Sequence, residues 1–424
     1  MKIIKHLIFV MLLATMGIVS ATAENPTLTP YSMYGYGILN DHSSSFQRQM
    51  GGVGYAMNSG RQINVKNPAS YAHIDSLTFL WDMGASISML WCQDGSAKGH
   101  AIGGGLDYIT MQFPLGKHMG ASIGLLPYSS VGYAFGSEIM HGTMENQGSG
   151  GLTEGYLGIG GKVAGFSIGA NVSYRFGNII NDVYANSESG GQTLFEHVMQ
   201  VRDWDINIGA QYKAKLDKFN TLTIGATYSP KKSMHGKTWC SYWDLTSDAK
   251  PDTVGEMSMT KKYYQPHTVG AGINYKHERT NKIMVEADVT WQDWSKATYS
   301  AIIREDGEKK KEVFEGMEFS NRWKIAVGGE YVPKIRGNFA ERMAYRIGAY
   351  YTNDYLNIRG NQVTEYGITA GVGMPTVEGK TVINIGFEWK HRNSSPQKLL
   401  GENYFNITLG LNFNELWFWQ RKLK

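Results

Sequence analysis

The chain has 424 residues, 42% of them hydrophobic and 18% charged, with 51 Gly, 25 Tyr, 11 Trp and 2 Cys. Two cysteines exclude a disulfide framework or a multi-cysteine zinc scaffold. A net charge of +4, with acids and bases interleaved, is no electrostatic footprint for nucleic acid.

Lys2 and Lys5 precede an apolar run from Leu7 to Val19 that ends in Ala21-Thr22-Ala23. A basic start, a short apolar stretch and a small-x-small site describe a secretory signal, so residues 1–23 are expected to be removed and the mature chain to begin at Glu24. No second apolar run is long enough for a membrane helix, which excludes a polytopic helical protein. Residues 24–76 do not alternate. They carry Gly35, Gly37, the cluster Gly51-Gly52-Val53-Gly54 and a polar run from Asp41 to Ser45.

From Leu77 onward the pattern has period two. Leu77, Phe79, Trp81, Met83, Ala85, Ile87, Met89 and Trp91 alternate with small or polar residues, as do Phe166 to Phe176 and Trp204 to Ala214. The pattern recurs at 222–228, 269–275, 283–291, 323–331, 345–351, 366–374, 383–389 and 405–413. Successive side chains of a strand point to opposite faces, so each stretch has one apolar and one polar face. Turning the polar face of 203–215 to lipid would cost roughly 2–4 kcal/mol for each midplane cation. The polar face, with Asp107, Arg175, Asp203, Asp205, Glu286, Asp288, Arg322, Lys324, Glu330, Arg346, Glu388 and Lys390, is therefore expected to face a lumen.

A soluble sandwich also alternates, and the connections separate the two readings. Pro114–His118, Ala164-Gly165, Leu216–Phe219, His277–Asn281 and 375–380 read as short turns. The stretches after Trp91, at Pro127–Gly151, at Gly177–Gln200, at 231–262 and beyond Trp294 read as long connections. Short turns on one side and long loops on the other are the rhythm of an outer-membrane barrel. Trp91, Trp204, Trp291, Trp294, Trp323 and Trp389 fit aromatic girdles. The expectation is an all-β, transmembrane antiparallel barrel of about fourteen strands spanning 77–424. Such a barrel is wide enough to need filling, so 24–76 is read as an N-terminal plug, with a periplasmic tail as the alternative.

Several segments resemble the FadL/TodX family of outer-membrane transporters for hydrophobic compounds. These are Gly51-Gly52-Val53-Gly54-Tyr55-Ala56 followed by Asn67-Pro68-Ala69, then Tyr228-Ser229-Pro230 leading to His235-Gly236, and most specifically Ala287-Asp288-Val289-Thr290-Trp291-Gln292-Asp293-Trp294-Ser295. The resemblance implies fourteen strands, an N-terminal hatch containing Asn67, Pro68 and Ala69, and a ligand leaving sideways at a kinked third strand. That strand is read as Met119–Leu126. Pro127 after it lacks a ladder donor, so it marks either a lateral opening or the start of a loop. No compact basic pair for a fatty-acid carboxylate is found, so the substrate is not carried over.

Gly120-Ala121-Ser122-Ile123-Gly124 and Gly165-Phe166-Ser167-Ile168-Gly169 match G-x-S-x-G but lie on strands rather than on a strand-turn-helix elbow, so they point to no enzyme. The His residues show no ligand spacing, and neither a metal nor a cofactor is expected. Cys92 and Cys240 both fall near outward strand ends, which leaves their pairing open. The function expected is passive uptake of a hydrophobic small molecule, with Met140, Met144, Trp239, Tyr242 and Trp243 as loop candidates for its binding. The alternative is a non-transporting binding or shuttle barrel resembling the PorV-type component of type IX secretion. The partners expected are that small molecule and outer-membrane lipid, without nucleic acid, and the chain is read as a monomer in the outer membrane of a Gram-negative cell.

Overall fold

The computed structural model describes residues 28–246, 252–259, 263–297, 302–306, 309–314, 317–376 and 381–416. The expected signal segment, residues 1–23, and Glu24 lie outside the described residues.

Fourteen antiparallel strands form the wall. They are β1 (Thr78–Asp94), β2 (Ala97–Pro114), β3 (Met119–Ile139), β4 (Gly142–Val163), β5 (Phe166–Ser187), β6 (Gln192–Lys215) and β7 (Asn220–Ser229). After an upper excursion follow β8 (Thr268–Glu278), β9 (Lys282–Gln292), β10 (Arg322–Val332), β11 (Ala344–Ile358), β12 (Asn361–Pro375), β13 (Thr381–Ser395) and β14 (Gly401–Leu416). Each strand pairs with its neighbour in sequence, and β14 returns to β1 from Thr78↔Leu416 to Gln93↔Gly401, closing the barrel. Every predicted alternating stretch from 166 onward lies within one wall strand.

Side-chain burial follows the expected sign. Outward positions such as Ile102 (62% exposed), Ile168 (64%) and Ile347 (64%) form an apolar belt, while inward Arg175, Glu286 and Asp288 are 1–2% exposed. The outward Trp81 and Trp91 on β1 are spaced like the roughly 9–11 tilted residues that cross a hydrocarbon layer. Trp294 departs from the expected girdle. It is fully buried inside, against Tyr36 and Tyr355.

The long connections also differ from expectation. The chain between Trp91 and Ile102 is a hairpin with its turn at Gly95-Ser96, and Pro127–Gly151 and Gly177–Gln200 are strand extensions closed by short turns. β3 to β6 accordingly run 21 to 24 residues, against 10 or 11 for β7 to β10. The upper half of β6 pairs with Gly236–Asp244 instead of β7. One side of the barrel thus rises as a tall curved sheet above the other.

Candidate functional site: the lumen and a gap in the wall

The segment 28–76 is held by inward wall residues. It contains the four-residue helix Ser45–Arg48, the 3-10 turn Pro68–His73 and a two-residue strand, Ile38–Leu39. Main-chain N–H groups that are buried outside a ladder must find acceptors elsewhere. For residues 54–56, at the end of the Gly-rich cluster, the acceptors are carboxylates on β9. Asp288 Oδ2 accepts from Gly54 N (2.7 Å) and Tyr55 N (3.2 Å), and Glu286 Oε1 accepts from Ala56 N (2.9 Å). The Tyr55 hydroxyl bonds Thr290 at 2.8 Å, and Lys66 Nζ stands 3.7 Å from Asp288. The alternating Glu286, Asp288 and Thr290 of the most specific sequence motif therefore make one inward rack for residues 54–56.

Asn67 caps the 3-10 turn, its side chain accepting from Ala69 N at 3.1 Å while its amide donates to Tyr55 O at 2.6 Å and Ala210 O of β6 at 3.3 Å. Wall glycines make the room. A Cβ on Gly209 would stand 2.0 Å from Asn67 Oδ1, and one on Gly169 would stand 2.4 Å from the Pro68 carbonyl. These close approaches explain glycine at inward positions of strands that would otherwise lose stability by having it.

Ion pairs secure the rest. Asp41 meets Arg322 at 3.1 Å and also Lys324, and Arg48 meets Asp107 at 2.9 Å. Burial by itself would raise the Asp41 carboxyl, but Lys324, Arg322 and Lys66 around it hold it well below the usual carboxylate range. Burial, with Lys162 and Lys213 nearby, lowers the His73 imidazole to about 4, so it is neutral at pH 7.

The wall is incomplete between β2 and β3. Their ladder runs only from Pro114↔Gly120 to Ile109↔Leu125. Above it β2 pairs with β1 alone, while β3 continues to pair with β4 through a register shift at Pro127/Ser129. The edge that β3 turns from β2 is taken by the N-terminal segment. Ile38↔Ser130 and Leu39↔Ser129 pair, Asn40 N donates to Tyr128 O at 2.9 Å, and Thr29 N donates to Gly132 O at 2.8 Å. The stretch of β2 facing the gap lies between the pairings Trp81↔Met111 and Trp91↔His100, so the gap is at membrane height.

Behind it lies a cavity of about 210 Å³, lined by Leu106 and Pro127 at the gap and by charged side chains within, among them Arg48, Lys324, Lys390, Asp107 and Glu388. Above, an apolar cluster is filled by the chain's own side chains. Tyr36, Trp294, Tyr355 and Leu356 are fully buried there, with Met199, Val201 and Phe319 around them.

The predicted site residues fall in several places. Asn67, Pro68 and Ala69 form the turn on the wall glycines, and Pro127 sits at the gap within β3 rather than at its end. The five binding candidates are not brought together. Met140 is a hairpin tip, 88% exposed, and Met144 is half-buried on β4. Trp239, Tyr242 and Trp243 lie along Gly236–Asp244, and none of the five lines the cavity. Cys92 and Cys240 are unpaired. The residues that sequence reasoning missed are Tyr36, Phe319 and Tyr355, isolated aromatics outside any period. Trp294 was visible in the motif but was read as a girdle residue.

A family model described as BamG matches residues 3–424. The chain belongs to the BamG family. No curated protein matches it. Among solved structures this BamG-family chain resembles the Pseudomonas putida toluene transporter TodX (13% identity, TM-score 0.61, 90% of this chain and 100% of that one). It also resembles a Pseudomonas aeruginosa FadL homologue (13%, TM-score 0.60, 89% and 99%) and the monoaromatic hydrocarbon channel CymD (12%, TM-score 0.57, 89% and 99%). At such identities the likeness establishes the barrel fold. The FadL/TodX resemblance thus holds at the level of the fold, and the family of the chain is BamG.

Proposed function

We propose that the chain is an outer-membrane side-port barrel for passive uptake of a small hydrophobic molecule, with residues 24–76 as its hatch. The observation that supports this is the β2–β3 ladder ending at Leu125, with the hatch strand Ile38–Leu39 lying in the gap. An unpaired strand edge at membrane height is costly, because hydrocarbon offers no hydrogen-bond partners. An opening kept despite that cost serves passage between lumen and bilayer. Barrels of this fold include proteins described as toluene transporters and monoaromatic hydrocarbon channels, and the same role is proposed here. A non-transporting binding barrel is the second reading, and the filled apolar cluster above the hatch favours it.

Gly105 on β2 separates the two. It stands opposite Ser86, which lines the cavity, and a Cβ there would meet no atom within 4 Å. Gly105→Trp should fill the cavity behind the gap without disturbing the wall. Entry of N-phenylnaphthylamine into cells should fall several-fold at equal surface amount and normal heat-modifiability. Unchanged entry would sink the side port and leave the binding barrel.

A further inference from the structure

The cavity and its mouth have opposite chemistry. Inside, the cations Arg48, Lys324 and Lys390 face the carboxylates Asp41, Asp107 and Glu388. A bare hydrocarbon placed there would strip water from charges and return no polar contact, which is costly. At the mouth, Leu106 (55% exposed), Ile102 (62%) and Leu125 (50%) present apolar surface to the bilayer. The interior also keeps unspent polar capacity. Arg392 Nε and Asn406 Oδ1 are buried with no hydrogen-bond partner among the described residues, and both residues line the cavity. Glu388 accepts from Tyr350 and Asn406, each at 2.7 Å, yet has no cation within 4.0 Å among the described residues. A polar chamber opening through an apolar slit at membrane height fits a molecule divided the same way.

We infer that the cavity behind the β2–β3 gap binds the head group of a zwitterionic amphiphile, whose hydrocarbon chain passes through the gap into the bilayer. The cationic end of the head faces Glu388, which has no cation within 4.0 Å among the described residues, and the anionic end faces Lys390 and Arg392, which share Glu365 at 3.5 and 2.6 Å, Arg392 also meeting Glu402 at 3.4 Å. This deepens the side-port reading and rests on it, naming an amphiphile as the class of molecule the port admits.

The test uses the full mature chain in phosphatidylglycerol vesicles with lysophosphatidylcholine bearing a diazirine near the head end of its acyl chain. Photoadducts should concentrate on Ile102, Leu106 and the Leu125–Pro127 lip. Unlabelled lysophosphatidylcholine should suppress them several-fold better than lysophosphatidylglycerol or n-dodecane does. Glu388→Gln should weaken labelling several-fold, with Glu388→Asp restoring part of it. Gly105→Trp, placed where there is open space, should abolish it even if the Glu388 variants fold poorly. Adducts spread evenly round the wall, or equal competition by dodecane, would overturn the head-group site. Equal competition by the anionic lysolipid would overturn its zwitterionic character. Tracer entry is read in parallel. Selective labelling without entry would overturn passage while leaving the site, and entry without selective labelling would overturn the site alone.

Discussion

Asp288 shows how much one inward carboxylate can organise. It accepts two main-chain N–H groups of the Gly-rich cluster and lies beside Lys66, all of them buried. Removing Asp288 leaves two buried amides without an acceptor and takes the carboxylate from Lys66, which keeps the Gly52 carbonyl, a loss of about 3–5 kcal/mol. Asp288→Ala should therefore make residues 50–60 protease-sensitive while the wall stays heat-modifiable, and Asp288→Asn, which still accepts, should lie between. Protection equal to wild type would show that the other contacts suffice. Asp41 supplies a pH dependence. A carboxyl whose folded pKa is depressed contributes stability that is full above its unfolded pKa and is lost as pH falls through the folded value. Attachment through Asp41 should thus persist through pH 4 and fail only below, measured as the onset of pepsin cleavage near Asp41. Lys324→Met removes one of the cations holding that pKa down, so the onset should move to higher pH; an onset that stays put would detach the pH response from Asp41. The motif around Asp288 was legible in the sequence. Its task was not, because a carboxylate reaching main-chain N–H groups more than 230 positions away leaves no local pattern.

Among the strands, β3 is the one that borders the gap and, on the same edge, pairs with the N-terminal segment's strand. In the sequence Pro127 marks either a lateral opening or the start of a loop; it lies within β3, two residues past Leu125, where the ladder to β2 ends. What period-two reading could not reveal is that a two-residue strand from the hatch takes the exposed β3 edge, since so short a strand has no period. The tall hairpins were misread as loops for a related reason. Above the membrane the strand need not present a lipid-facing apolar side, and Ser137-Glu138 and Glu145-Asn146-Gln147 do not alternate. The hatch strand changes what Pro127 can be expected to do. Pro127→Val restores a donor, but β3 is already paired along Ser129–Ser130, so the gap should remain and tracer entry should not change. Asn40→Pro removes the donor to Tyr128 O and should loosen the hatch strand, raising entry several-fold. The opposite ranking would make Pro127, and not the hatch strand, the element that governs entry through the gap.

For the whole molecule, the sign of alternation was the most legible property. The lumen-facing residues named from sequence are buried or half-buried inside, because the cost of charge in lipid leaves a barrel no other choice. The path through the lumen was not legible, since it depends on where the hatch and the upper aromatics meet. Wall closure runs through β14 and β1 and uses no hatch residue, and among the strand ladders of the described residues the hatch pairs with the β3 edge alone. Deleting residues 24–76 should therefore leave a folded, heat-modifiable barrel. Much of the lumen would empty, because Phe46, Met50, Val53 and Tyr71 fill it from the hatch side. Trp294, Phe319 and Tyr355 belong to the wall side of the apolar cluster and would remain. Single-channel conductance in planar bilayers should rise several-fold but stay below that of an unobstructed fourteen-strand pore. Adding Trp294→Ala to the deletion should raise it again, because that indole packs against Phe319 and Tyr355 within the remaining apolar cluster. Conductance unchanged by the deletion would mean that the upper cluster alone seals the barrel, and that residues 24–76 serve the β3 edge and the side port rather than the through-path.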